Sequence, residues 1–209
     1  RSRGLGDVYK RQIMGGRGGS SSLGGKSKAK SVTKFMGKHG KPKTIQEAMT
    51  ASNPHFYEGR EWQYNCQRCI YAYEMQRRGY DVEAMPRIFD GTDTLPYMYN
   101  PEGWLAVMKD AKVVDLPSRN TIRHMVDTMA DWGDGARAIV RVSWKGKRSG
   151  HVFIAEQVGS GTEFIDPQTG QYVDIHYYMD NAIKGETKLV RIDNLEPTEL
   201  IQKLSLIHI

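Results

Sequence analysis

A chain of 209 residues, 39% hydrophobic and 26% charged, is long enough to close one core and too polar for a membrane-embedded protein. No run reaches the ~18 apolar residues of a membrane helix, and no apolar stretch of secretory type follows a basic start, so no membrane partner is expected and the chain reads as cytoplasmic. The net charge of +6 invites a nucleic-acid reading, but residues 1–43 carry 12 of the 30 Lys and Arg and a single acid, Asp7. The rest, with 18 basic against 23 acidic residues, is net −5, so no specific nucleic-acid partner is expected.

In chain order, residues 1–43 read as a disordered basic tail, since Gly, Ser and Lys between Met14 and Lys34 leave almost nothing to bury. Its first 12 residues, and residues 204–209 at the other end, resemble translated sequencing-adapter read-through and are candidate non-native ends, with Met14 the natural candidate for the start. The domain is expected over residues 44–203. Thr44 with Glu47 predicts a capping box for a short helix ending near Asn53 and Pro54. A second helix is predicted over about 65–78, followed by a short strand in "YDVEAMP" and loops around a short helix in residues 91–117. Ser118 is the candidate cap for a helix through "RNTIRHMVDTMADWG", stopped by Gly133 and Gly135. The period then changes to alternation. "ARAIVRVSW", "HVFIAEQV" and "TEFID" read as three strands joined by turn chemistry, "LVRID" as a fourth, and "PTELIQKL" as a closing helix. Helices first and an antiparallel meander later predict an α+β fold.

Both cysteines lie in "YNCQRCIYAYEMQRRGY". Asn65 is a strong N-cap residue, which puts Cys66 at the first helical position, and Gly79 is a left-handed stop. Cys66, Cys69, Ile70 and Tyr73 follow the spacing of one buried face. A thiol at the helix start meets free backbone N–H groups and the positive end of the helix dipole, which favours its ionised form; Cys69, one turn on, has less of that help. A structural zinc needs four ligands and the chain supplies one cysteine pair, with His124, His151 and His176 scattered singly, so no metal and no cofactor are expected. On spacing alone, two core cysteines remain the plain alternative.

A cysteine nucleophile needs a base to take its proton and a third group to orient that base. His151 opens one predicted strand and Asp166 closes the next across the "GSG" turn, so hairpin pairing puts them near the same end of the two strands. "NCQRCIYAYEMQRRGYDVEAMP", "GHVFIAEQV" and "FIDPQTG", in that order, resemble the papain-like fold toxin family, also described as toxin glutamine deamidase domains. The resemblance implies a papain-like fold with the catalytic helix packed on an antiparallel sheet, and a Cys-His-Asp triad that falls by position on Cys66, His151 and Asp166. It implies a cysteine-dependent amide hydrolase, foremost a protein glutamine deamidase, either of effector or toxin type or associated with phage. A papain-like cysteine peptidase and a non-catalytic phage accessory protein are the alternatives. Its partners would be a protein substrate and an immunity or phage structural protein, with delivery to a target cell or association with a virion. Cys69 matches a second cysteine of relatives to which no role attaches. Candidates for the oxyanion or an auxiliary role are Gln63, Asn65 and Gln168, none of them singled out by position.

Overall fold

The computed structural model describes residues 40–91, 93 and 103–207, so most of the basic tail and much of the predicted loop region lie outside the described residues. Helix α1 (Ile45–Ala51) begins as expected: the Thr44 hydroxyl accepts from the Glu47 amide while the Glu47 carboxylate accepts from the Thr44 amide. A one-turn helix α2 (Arg60–Gln63), not expected, leads into α3 (Cys66–Arg77). Asn65 holds the N-cap position of α3, but its side chain makes no cap bond. Its carbonyl accepts from the amides of Arg68 and Cys69, and the side chain turns into a buried network instead.

The expectation of a single buried face on α3 is corrected, because every residue from Arg68 to Gln76 is buried. The helix runs through the middle of the domain, packed by α1, strand β1 (Val82–Ala84) and the central sheet. Its interior charges persist because each is paired. Arg68 bonds both carboxylate oxygens of Asp93, at 2.8 and 2.9 Å, and Glu74 accepts from Arg78 and Arg137. Gly79 ends the helix turn at φ +95°, and a Cβ there would stand 2.4 Å from the Gly40 carbonyl, so only glycine serves.

After β2 (Val114–Asp115) comes α4 (Thr121–Trp132). Its cap is not Ser118 as expected. The chain reverses at Asn120 in the left-handed region (φ 54°), which asparagine tolerates, and the helix starts one residue later; Gly133 closes it as expected. The three alternating segments form β3 (Arg137–Ser143), β4 (Gly150–Val158) and β5 (Gly161–Asp166). They are followed by β6 (Gln171–Tyr172), helix α5 (Ile175–Asn181), capped by the Asp174 carboxylate, and β7 (Lys188–Arg191), the expected fourth strand. The predicted closing helix is a single 3-10 turn, Glu199–Lys203, and β8 (Ser205–Ile207) then pairs with β1, inside the stretch set apart as a candidate non-native end.

The six-stranded sheet has the order β2-β7-β3-β4-β5-β6 with every neighbouring pair antiparallel. Strand alternation divides its side chains between two layers. Ile139, Val152, Ile154, Ile165 and Val190 pack with α3, whereas Val140, Phe153, Phe164 and Leu189 pack with Met125 and Met129 of α4 and with α5. The fold is therefore α+β, with the cysteine helix on one face of an antiparallel sheet.

Candidate active site

Cys66 is half-buried in the first turn of α3, and Cys69 lies fully buried behind it with its thiol 3.2 Å from Asn65 Oδ1. Burial above all, and then the neighbouring Cys66 and Asp166, push the Cys69 thiol well above its ordinary range. Labelling with a mild alkylating reagent at neutral pH should therefore favour Cys66 over Cys69 by roughly tenfold or more, read by peptide mass mapping. Equal rates would remove the distinction between the two thiols.

His151 is the second residue of β4 and sits opposite Val142 of β3. The residue before it must be small, since a Cβ on Gly150 would come within 2.3 Å of the Val142 carbonyl. In the hairpin, Val158 faces Gly161 and Ile154 faces Ile165, a register that carries His151 and Asp166 to the same end and the same face. His151 Nε2 lies 3.0 Å from Asp166 Oδ2. Cys66 lies near enough to the ring to favour its charged form, and both side chains line the same cleft. The sheet end thus gathers a helix-start thiol, an imidazole and a carboxylate from three separate segments.

The aspartate is buried and well supplied with donors. Besides the ring, it accepts from the Tyr178 hydroxyl at 3.2 Å and from the Gln168 amide at 3.0 Å. Burial raises its carboxyl, but the His151 charge and these hydrogen bonds outweigh that and hold it below the usual range. The ring shows the converse: burial works against its charged form, yet the charge and hydrogen bond of Asp166, reinforced by Cys66, raise its pKa to about 10. Trp144 and Phe153 lie nearly parallel to the ring, each 6.3 Å away between centroids, with Tyr178 edge-on at 6.0 Å.

The three auxiliary candidates separate. Asn65 and Gln168 share one buried network behind the thiols: Gln168 Nε2 donates to Asn65 Oδ1, and Asn65 Nδ2 donates to Asn53 Oδ1 and to the Met85 carbonyl. Gln63 stands apart on the rim, where its amide donates to the Phe56 carbonyl. Among the described residues the amides of Cys66 and Gln67 have no backbone partner, as the first N–H groups of a helix should not. They are free to meet a negative oxygen next to the thiol. Sequence reasoning missed Gln67, which lines the cleft and whose buried Oε1 has no partner among the described residues. It also missed Tyr178 and Trp144. The only signal for Tyr178 was Asp174, a helix cap ahead of "IHYYM".

Cys66 and His151 open into a cleft of about 950 Å³. Among the described residues no cluster of His, Cys, Asp and Glu is placed to hold a metal ion, and no helix is long and apolar enough to cross a membrane. A helix-start cysteine facing a strand histidine and a buried aspartate across an α+β frame has the architecture of a papain-like thiol hydrolase. The chain belongs to the papain fold toxin 1, glutamine deamidase family, which it matches over residues 64–171, just over half of its length. The matched span holds all three of these side chains. No curated protein matches the chain.

Proposed function

We propose that the chain is a protein glutamine deamidase with Cys66 as nucleophile, His151 as general acid and base, and Asp166 as the group that orients and charges the ring. Cys66 Sγ attacks the Cδ carbon of a glutamine side chain from the form of the pair in which the proton rests on His151. The carbonyl oxygen becomes an oxyanion against the free amides at the start of α3. As the C–N bond breaks, His151 gives its proton to the departing nitrogen and ammonia leaves a thioester on Cys66. Water then attacks that thioester, His151 takes a proton from it, and glutamate and the free thiol are released.

The observation that carries the reading is the placement of Cys66 beside His151 on one open cleft, with the ring held 3.0 Å from Asp166, in a chain of a deamidase family. Its test is incubation of the full chain with candidate proteins, read by ammonia release, intact mass and gel. A substrate that gains the mass of an amide-to-acid exchange and stays uncut supports the deamidase, whereas a cut substrate makes the same residues a peptidase. An unchanged substrate across the panel with no ammonia removes the enzymatic reading. The toxin character of the family extends the proposal to an effector that acts in another cell or travels with a virion, restrained by an immunity or phage structural protein bound over the cleft.

A further inference from the structure

Among the described residues, the cleft around Cys66 and His151 is lined by five cationic side chains, Arg60, Arg87, Arg141, Lys147 and Arg148, and by no carboxylate. Among the described residues none of the five has an ion-pair partner. That is out of character for a region in which residues 44–209 sum to a net charge of −5. The buried arginines of the fold, Arg68, Arg77, Arg78 and Arg137, each pair with a buried acid. The five cleft cations, arginines foremost, are gathered where the proposed substrate would lie. Arg60 and Arg87 stand on the helix side of the cleft, from α2 and from the segment after β1. Arg141, Lys147 and Arg148 stand on the sheet side, from β3 and the β3–β4 turn. Arg141 is half-buried on β3 with no carboxylate partner among the described residues.

We infer that the site selects a glutamine flanked on both sides by acidic residues, held by carboxylate pairing to the two cationic walls. The inference rests on the deamidase reading for its chemistry, but the binding it describes is measurable without turnover. Guanidinium forks suit carboxylates bidentately. A nucleic acid fits these walls less well. The exposed rings on the rim, Tyr64 and Phe89, already carry guanidinium groups on a face, with Arg60 5.3 Å from Tyr64 and 4.6 Å from Phe89 and Arg87 5.1 Å from Phe89. Bases would have to displace those groups in order to stack. An acidic peptide meets them as they stand.

The experiment compares peptides with one central glutamine and Asp/Glu, Ser/Ala or Lys flanks. Binding to the full chain bearing Cys66→Ala is read by fluorescence anisotropy, and ammonia release by the unmodified chain is read as kcat/KM. At low salt the acidic series is expected to exceed the basic one by about a hundredfold in both readouts, with the gap closing at high ionic strength. The exposed turn variant Lys147→Glu with Arg148→Glu should lose about tenfold on the acidic peptide and gain on the basic one, an inversion that mere structural damage does not produce. Arg60→Glu tests the opposite wall in the same way. Equal use of all three series, with ammonia released, overturns the inference and leaves the deamidase standing. Tight, salt-sensitive binding of the acidic series with no ammonia supports the inference and overturns the deamidase. Tighter binding of a single-stranded oligonucleotide of equal charge than of the acidic peptide overturns the inference.

Discussion

Cys66→Ala and His151→Ala are each expected to lower ammonia release by about four orders of magnitude, because the members of such a relay act as a unit and losing one costs nearly as much as losing all. Cys66→Ala leaves nothing to form the thioester. His151→Ala leaves no group to pass a proton to the departing nitrogen. Asp166→Asn keeps the volume and the Tyr178 contact but removes the charge that holds the ring protonated, so a smaller loss is expected together with a change in pH dependence. In the parent chain the ring keeps its proton until pH rises toward about 10, which sets the alkaline limb of activity. In Asp166→Asn that limb should move down toward the ordinary histidine range.

The same shifts set the stability window. His151 is raised above its ordinary value, so its contribution is fully present below about pH 6.5 and is lost as pH climbs through about 10. Asp166 is depressed, so its contribution is present above its ordinary value and is lost on acidification. Cys69→Ser should behave unlike the other three, keeping most of the activity because its partner is Asn65 Oδ1 and not the ring. Thermal midpoints and ammonia release for the four variants decide the matter. A folded, fully active His151→Ala protein would sink the catalytic role.

Much of this site is legible in the sequence because a hairpin converts sequence spacing into position. The Gly-rich turn fixes which residues of β4 and β5 face each other, so the position of the turn alone brings His151 and Asp166 together. Cys66 is legible for a local reason as well, the helix start after Asn65. The dense burial of α3 is not. Arg68 and Glu74 are residue types expected in solvent, and only partners far along the chain, Asp93 for Arg68 and Arg137 for Glu74, make their burial tolerable. Nor does local pattern reveal that Asn65 spends its side chain on Asn53 and Met85 instead of capping its own helix. Tyr178 escapes because its role depends on how α5 folds back beneath Asp166. Period and turn chemistry report on neighbours; tertiary partners of single polar groups lie beyond them.

Glu74→Gln is expected to be the most damaging single change to stability away from the cleft. Glu74 is fully buried in the middle of α3, where its carboxylate accepts from Arg78 Nε at 2.6 Å and from Arg137 Nε and Nη2 at 2.6 and 3.1 Å. Burial alone would raise its pKa from 4.5, but the two guanidinium groups prevail and hold it at about 2, so the charged form is the one the fold stabilises. The gap between 4.5 and about 2 corresponds to about 3 kcal/mol. That contribution is fully present above pH 4.5 and is lost as pH falls toward 2, so the parent chain should lose stability steeply in that interval and the variant much less. At neutral pH the variant strands two guanidinium groups against one amide, a break of the kind that costs ~3–5 kcal/mol in buried pairs, or a thermal midpoint lower by roughly 10 °C for a domain of this size. Replacing the pair together, Glu74→Leu with Arg137→Leu, should recover part of the loss, since an apolar pair leaves one less stranded charge than Glu74→Gln alone. Thermal midpoints of the three proteins at neutral and acid pH give the answer. A Glu74→Gln midpoint within a degree or two of the parent at neutral pH would mean that the buried pair contributes nothing net, and that α3 is held at the centre of the fold by its apolar neighbours alone.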